Sequence, residues 1–434
     1  MVSLRIFLLV LITLVCRELC AGTTENTFLQ SGIAVFGLAI GVCLFSKLLV
    51  LRKLVVAGVT GARFAAAEHA ALDLKSIKNW VLTFWGVAYP LLIIANGWAL
   101  WALEVESTYD SGALAVLLLF APTLLLLVYW DVIEAEVDQL CDADERSWLQ
   151  LWSIRTRLGD SASLLTCMAP VLLITCLNDA SARFFPLLSE QTQAAIATSI
   201  AGLLIVVAYP IGLTLWYGGK PIECEVLRHR IDELRLKANI GTLPSILIPS
   251  GGRWNGAALV GWLPGLRRLW LGDGLLNQLT KEEVDMVVLH EIAHVKHMHF
   301  AWRFAPVIWS AGLATLVVLG LQWSSDGQMP LWLIHTFAAG MAVLTVLVGL
   351  GFVSWQCEYE ADRSACLLAE QSCEWAEGQP GAPVIHLTSA LCKLTGGRDS
   401  SDKSWMHPSL KDRLKSLAAF LSEQRHARIS GRTT

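Results

Sequence analysis

The most informative stretch of this chain is residues 276–300, which read LNQLTKEEVDMVVLHEIAHVKHMHF. Thr280 and Glu283 have the spacing of a capping box, so we predict that a helix begins there. Along this helix His290 and His294 are four residues apart and therefore lie on one face, where both imidazoles can bind the same metal ion. The stretch thus predicts a metal site built on a helix.

The remaining groups of this site are carboxylates. Glu291 lies about 100° around the helix from its histidine neighbour, close enough to act on a water at the metal. In the segment CEYEADR, after the last apolar run, Glu358 and Asp362 are four residues apart. One can bind the metal while the other hydrogen-bonds a ligand histidine from behind. Glu360 and His297 are rival third ligands. Two histidines and one glutamate predict a single catalytic Zn2+ per chain, because this ligand set leaves a fourth position open.

The composition is that of an integral membrane protein. Of the 434 residues, 54% are apolar and only 16% are charged, and the mean hydropathy is +0.53. Many of the 18 tryptophans lie near the ends of apolar runs, as in an interfacial belt. The net charge of -4 provides no basic surface for nucleic acid. We therefore expect contact with a lipid bilayer and none with nucleic acid.

Seven apolar runs are long enough to cross a bilayer. Residues 1–21 contain a shorter run, from Ile6 to Cys16, which is compatible with a signal peptide and equally with a short first membrane helix. The seven predicted spans lie at about 32–51, 80–103, 112–130, 162–177, 194–216, 304–323 and 331–355.

Lysine and arginine residues are concentrated in alternate loops. The loop after the first span, the loop 131–161 and the segments flanking the last two spans are basic. The other loops hold only Arg183 between them, and they are 103–111, 178–193 and 324–330. By the positive-inside rule, the helix at 280–300 and the C-terminal part of this multi-pass protein are expected to face the cytoplasm.

Two soluble segments carry the predicted site. The first, 218–302, begins with an amphipathic helix at 222–238 and continues with short strand-like runs at 245–249, 257–261 and 268–271. The second, 356–424, is predicted to be largely helical, with a disordered basic tail at 425–434. The other predicted parts are a five-span membrane bundle at 32–217 and two spans within 303–355.

Three motifs and a pair of membrane spans, in their order along the chain, resemble the membrane zinc metallopeptidases that include the bacterial heat-shock protease HtpX and the type I CAAX prenyl proteases. That order is H-E-x-x-H, two membrane spans, E-x-x-x-D and H-P-x-x-x-x-R, and the resemblance covers roughly 222–420. It implies a polytopic α-helical membrane protein with a mainly α, small-sheet (α+β), gluzincin-like zinc metallopeptidase domain on the cytoplasmic side.

The resemblance also implies a role for each matching residue. Glu291 would be the general base, and Asp362 would support a ligand histidine. His407 and Arg413 would face the cleft, where they would stabilise the oxyanion or bind substrate. The implied zinc ligands are His290, His294 and Glu358.

An edge strand beside the zinc is a further feature of the resemblance. It implies substrate binding along Asn255, Ala257 and Leu259. In the family an asparagine is followed directly by alanine on this strand, whereas Gly256 intervenes here. The run 257–261 still has the pattern of an edge that can pair with an extended peptide.

The implied reaction is hydrolysis of peptide bonds in membrane or membrane-associated polypeptides, with proteolytic quality control as the first interpretation. Processing of prenylated CAAX tails is an alternative, as is a sensor-protease that cleaves a single regulator. A coupling loop for such a sensor would be the acidic stretch 131–145, which carries seven carboxylates and whose first interpretation is a solvated loop. A non-enzymatic scaffold is the remaining class, against which the intact metal and base positions argue.

Overall fold

The computed structural model describes residues 4–19, 26–59, 63–141, 147–325, 328–377, 379, 381–395 and 405–429. Within these residues the chain forms sixteen α-helices and four short β-strands. It divides into two compact units, Met1–Ile205 and Val206–Thr434. Each unit has a hydrophobic core of its own.

The first unit is entirely helical in its described residues. Its core is rich in fully buried aromatic side chains, among them Trp85, Tyr89 and Trp130. The indole of Trp85 donates a hydrogen bond to Thr123 Oγ1 at 3.0 Å, so this polar group is satisfied inside the apolar bundle. The helices are α1 (Leu4–Leu19), α2 (Phe28–Val59), α3 (Arg63–Ala95), α4 (Trp98–Tyr109), α5 (Gly112–Cys141), α6 (Trp148–Leu158), α7 (Asp160–Phe184) and α8 (Glu190–Val207).

Seven helices of the described residues are long and apolar enough to cross a membrane, which confirms the predicted number of spans. Five precede the metal-binding motif and two follow it. The apolar segments are Phe28–Lys53, Leu74–Ala95, Gly112–Gln139, Asp160–Phe184, Glu190–Val207, His299–Ser324 and Phe337–Ser372.

Two predicted spans end earlier than the sequence suggests. The span predicted at 80–103 ends at Ala95, because Gly97 adopts a left-handed conformation (φ 73°) and separates α3 from α4. The span predicted at 194–216 breaks at Ala208, before Pro210 near the start of a short helix, α9 (Tyr209–Trp216). Proline cannot donate the backbone hydrogen bond that a continuous helix requires.

The acidic stretch that begins at Asp131 is not the solvated loop that was predicted first, as far as the structure describes it. Helix α5 continues to Cys141, and both Asp131 and Glu134 are buried. Lys78 Nζ lies 2.6 Å from a carboxylate oxygen of Glu134, and Arg155 NH1 lies 3.0 Å from the other. Glu134 therefore meets cations from α3 and α6, whereas Asp131 accepts a hydrogen bond from Ser161 Oγ. Residues 142–146 lie outside the described residues.

The second unit combines a small sheet with seven further helices after α9. Its strands are β1 (Lys220–Pro221), β2 (Ser245–Ile248), β3 (Ala257–Val260) and β4 (Arg268–Gly272). Its helices are α10 (Glu225–Lys237), α11 (Asp273–Gln278), α12 (Lys281–Lys296), α13 (His299–Ser324), α14 (Leu331–Ser372), α15 (Ala382–Thr395) and α16 (Leu410–Ile429). The prediction of a disordered tail from residue 425 is wrong for residues 425–429, because they continue α16.

The sheet has the order β1-β2-β4-β3, so β3 is an edge strand of the described sheet. β2 and β4 are parallel, whereas β3 pairs antiparallel with β4, with Ala258 opposite Trp270. The strands confirm the three strand-like runs of the sequence to within one residue at either end. Gly261, at φ 101°, ends β3 in a conformation that only glycine adopts readily.

Helix α12 lies at the centre of this unit. Met286, Val288, Leu289 and Ile292 are fully buried in its core. Each such side chain contributes about 1.5–3 kcal/mol relative to an exposed position. Because residues around the whole circumference of the helix are buried, its two histidines are held on a rigid element.

Helices α13 and α14 connect the two membrane segments to the metal site. α14 is continuous over 42 residues, so the chain passes from the predicted span into the segment with Glu358 without a break. The two helices approach closely where Gly349 faces Pro306: a Cβ at Gly349 would lie 3.0 Å from Pro306 Cβ. The glycine permits this close crossing.

Candidate metal centre

The start of α12 is fixed by the predicted capping box. Thr280 Oγ1 accepts from the Glu283 amide at 3.4 Å, and Glu283 Oε2 accepts from the Thr280 amide at 2.8 Å. Glu283 also accepts hydrogen bonds from Ser389 Oγ at 2.6 Å and Lys393 Nζ at 2.7 Å, both on α15. The first turn of the helix is thereby attached to a second helix, which sets where its later turns lie.

Three side chains converge further along α12, two from this helix and one from α14. His290 Nε2 lies 3.2 Å from His294 Nε2. The carboxylate oxygens of Glu358, on α14, lie 3.6 Å from His290 Nε2 and 3.5 Å from His294 Nε2. Ligands at about 2.0–2.1 Å from a tetrahedral ion are separated by roughly 3.3 Å. The three groups therefore fit a zinc ion in spacing as well as in donor type.

Asp362 lies behind the first histidine, one turn beyond Glu358 on α14. It is fully buried, and its Oδ1 is 3.0 Å from His290 Nδ1. Arg413 on α16 donates to both of its oxygens, from Nε at 2.8 Å and from NH2 at 2.5 Å. The carboxylate therefore fixes the orientation of the imidazole, as outer carboxylates do in metal sites. The arrangement places the guanidinium on Asp362, a contact that the implied oxyanion or substrate role did not include.

The second histidine has a support that the sequence did not reveal. His294 Nδ1 lies 2.7 Å from Nδ1 of His299, whose side chain is 1% exposed. His299 Nε2 lies 3.1 Å from Glu360 Oε2, and His297 Nδ1 lies 3.1 Å from Glu360 Oε1. The two rival third ligands thus pair with each other. The signal available in the sequence was the presence of His297 and His299 shortly after His294. Helix periodicity alone did not show which of the two would contact the ligand.

Glu358 has cationic neighbours of its own. Arg303 NH2, on α13, donates to Glu358 Oε1 at 3.0 Å. His407 Nδ1 lies 3.3 Å from Glu358 Oε2 and Arg413 NH1 lies 3.6 Å from it. Sequence reasoning missed Arg303, whose one signal is a charged residue at the entry of an apolar run. His407 is the most exposed of these groups, at 39%, and is therefore the one best able to reach a substrate.

Comparison with known proteins adds the family. Residues 227–420 match the family described as Peptidase family M48. This matched segment contains all the residues of the metal centre. We call this segment, which is similar to M48 peptidases, the M48 domain. The fold of the chain is also similar to a solved structure, "Crystal Structure of S. mikatae Ste24p", at 16% identity and a TM-score of 0.46, over 90% of this chain and 100% of that chain.

The electrostatics of the M48 domain shift the pKa values of the two ligand histidines in opposite directions. Burial lowers the pKa of His294 well below its ordinary value, so this imidazole is neutral. Burial acts in the same direction on His290, but Asp362 and Glu358 outweigh it and raise the pKa of His290 to about 9. A metal at this site therefore competes with a proton on His290. Burial raises the pKa of Glu291, as suits a general base.

The M48 domain also presents the predicted edge strand. Gly272 N donates to Gly256 O at 2.9 Å, so the alternation of an antiparallel ladder turns the main-chain groups of Ala257 and Leu259 to the free edge. Their side chains pack against the core. Asn255 differs: its Oδ1 is buried and abuts Gly274 at the start of α11. The side chain of Asn255 thus faces the start of α11.

Proposed function

We propose that this chain is an integral-membrane zinc endopeptidase that hydrolyses peptide bonds of membrane or membrane-associated proteins at the cytoplasmic face. The observation that carries the proposal is the convergence of His290, His294 and Glu358 beside a general-base candidate. The two Nε2 atoms are 3.2 Å apart, and one carboxylate oxygen lies 3.6 Å from the first of them while the other lies 3.5 Å from the second. The ligand helix α14 is itself continuous with a membrane span. This continuity supports action close to the bilayer surface.

The proposed mechanism uses residues of the M48 domain in distinct roles. His290, His294 and Glu358 would hold the zinc ion, which would supply Lewis-acid chemistry for the scissile carbonyl and the attacking water. Glu291 takes the proton from the attacking water onto its carboxylate and passes it to the nitrogen of the leaving amine. His407, half-exposed at the site, donates to the developing oxyanion.

The edge strand supports a polypeptide substrate. The outward main-chain groups of Ala257 and Leu259 can pair with any extended segment, because this contact reads backbone and not side chains. Such sequence-tolerant binding suits proteolytic quality control, which we place first. The five spans that precede the metal helix favour the alternative, processing of prenylated CAAX tails, because HtpX-type enzymes typically have two there.

The enzymatic part of the proposal is tested with purified protein in detergent. Stoichiometric zinc and casein cleavage are expected for the wild type, and Glu291→Gln should keep the zinc and lose cleavage. Glu282→Gln, in the first turn of the same helix and more than one turn before the metal ligands, is the matched control and should keep both. A wild type without zinc, or a Glu291→Gln variant that cleaves normally, contradicts the proposal.

The biological role requires a separate comparison. Quality control predicts that many membrane proteins accumulate when Glu291→Gln replaces the wild type, whereas a sensor-protease predicts one. A CAAX processing enzyme would instead release the terminal tripeptide from a farnesylated peptide and leave its unprenylated counterpart intact.

A further inference from the structure

We propose that His299 and Glu360 form a hydrogen-bonded relay that holds the metal ligand His294 in its binding orientation. The inference rests on the proposed zinc site, and it assigns positioning roles to two residues that would not touch the ion. Its basis is the chain of contacts from His294 Nδ1 to His299 Nδ1 at 2.7 Å, and from His299 Nε2 to Glu360 Oε2 at 3.1 Å.

The backbone between the two histidines is built for this contact. α12 ends at Lys296, and Met298 turns the chain with a left-handed conformation at φ 53°. A non-glycine residue in this region is uncommon and marks a turn that its surroundings enforce. His299 then begins α13, and its ring meets His294 nearly at a right angle, with 74° between the planes. The turn thus places the buried imidazole of His299 beside Nδ1 of His294.

The proton positions in this relay follow from the contacts. His294 must leave Nε2 bare to bind zinc, so its single proton is on Nδ1. That proton can be donated only if His299 Nδ1 is bare, and the proton of His299 is then on Nε2. Glu360, an acceptor when ionised, receives it. One tautomer of each imidazole satisfies the whole chain, and this tautomer leaves the ligand atom free.

Glu360 completes the relay from another element. It is on α14, two residues after the ligand Glu358, so one helix supplies both a ligand and the end of the relay. Its second oxygen lies 3.1 Å from His297 Nδ1, and His297 Nε2 lies 2.8 Å from Ser364 Oγ. Helix α14 therefore contacts the relay through Glu360 and the neighbouring His297 through Ser364.

The relay is tested by a matched pair at position 299. His299→Leu fills the buried site without an acceptor, whereas His299→Asn retains an oxygen near the position of Nδ1. Loss of an outer partner typically weakens metal binding about 10- to 100-fold. We expect such a loss of zinc affinity for His299→Leu, measured by chelator competition, a smaller loss for Glu360→Gln, and near wild-type affinity for His299→Asn. His229→Gln, at an exposed histidine of α10, is the control and should keep the wild-type zinc affinity.

A second readout separates orientation from folding. With Co2+ in place of zinc, the visible absorption reports ligand geometry, and it should change for His299→Leu and be restored for His299→Asn, at unchanged circular dichroism. Equal losses in the Leu and Asn variants would show a packing role and overturn the relay, as would wild-type affinity in both. A wild type that binds no zinc would instead overturn the proposed function.

Discussion

Arg413 donates two hydrogen bonds to the carboxylate of Asp362, one from Nε at 2.8 Å and one from NH2 at 2.5 Å. Burial opposes the charge of this guanidinium, but the carboxylates of Asp362 and Glu358 raise the pKa of Arg413 above its ordinary value. Asp362 in turn faces His290. A residue of the last helix therefore acts on a metal ligand through one intermediate carboxylate.

This relationship predicts a metal-binding defect in Arg413→Lys. Lysine keeps the charge but cannot form the two-pronged contact, so Asp362 loses its fixed orientation. Zinc affinity, measured by chelator competition, should fall about 10-fold or more. An oxyanion or substrate role predicts a different pattern, with zinc affinity unchanged and peptide cleavage reduced. His407→Gln, which the proposed mechanism assigns to the oxyanion, should show that second pattern.

The attachment of α12 to α15 predicts a pH-dependent stability. Burial raises the pKa of Glu283, but hydrogen bonds from Lys393, Ser389 and the Thr280 amide outweigh it and hold this pKa below its ordinary value of 4.5. Because the folded value is the lower one, the stabilisation is complete above pH 4.5 and disappears as the pH falls through the folded value. Glu283→Gln should therefore unfold at a lower temperature than the wild type at pH 6, with the difference shrinking towards pH 3.

The measurement is thermal unfolding of metal-free protein in detergent, so that protonation of the zinc ligands is common to both proteins. A broken charged hydrogen bond costs about 1.5–3 kcal/mol. Lys393→Met should reproduce part of the loss at pH 6. A difference between Glu283→Gln and the wild type that is constant with pH would refute the linkage.

The close crossing of α13 and α14 predicts that a membrane position controls the metal site. In Gly349→Leu the new side chain collides with Pro306, and the two helices must separate. Because α14 carries Glu358, zinc affinity should decrease although no ligand is changed. Gly340→Leu on the same helix is the control, since a Cβ there meets open space. Zinc content of the two purified variants, compared side by side, tests this, and equal content would count against the scaffold role of the spans.

The free edge of β3 predicts a substrate-binding defect without a metal defect. Ala257→Pro removes an outward N–H, and proline is tolerated on edge strands because the ladder to β4 is unaffected. KM for a peptide substrate should rise several-fold, with zinc content unchanged, by loss of one main-chain hydrogen bond worth about 0.5–1.5 kcal/mol. Ala257→Ser keeps the N–H and is the control. An unchanged KM in the proline variant would exclude pairing at this position.

Much of this architecture was predictable because its signals are local. Capping of α12 by Thr280 and Glu283 and the number of spans follow from helix geometry and hydropathy. The fate of the acidic stretch was not predictable, because charge patterning carries no information on which partners a folded bundle brings to its carboxylates, such as Ser161 to Asp131 and two cations to Glu134. The ends of two spans were wrong for a different reason, since hydropathy is averaged over a window and does not register a local break such as those at Gly97 and Ala208.

Residue spacing alone places His290 and His294 on one face of α12, and Glu358 and Asp362 on one face of α14. Both follow from the 3.6-residue period of a single helix. The packing of the helices sets which carboxylate meets the two ligand histidines, Glu358 rather than Glu360, and it brings Arg413 to Asp362. Which faces meet depends on how α12, α14 and α16 cross, and packing of residues distant in sequence sets those crossings.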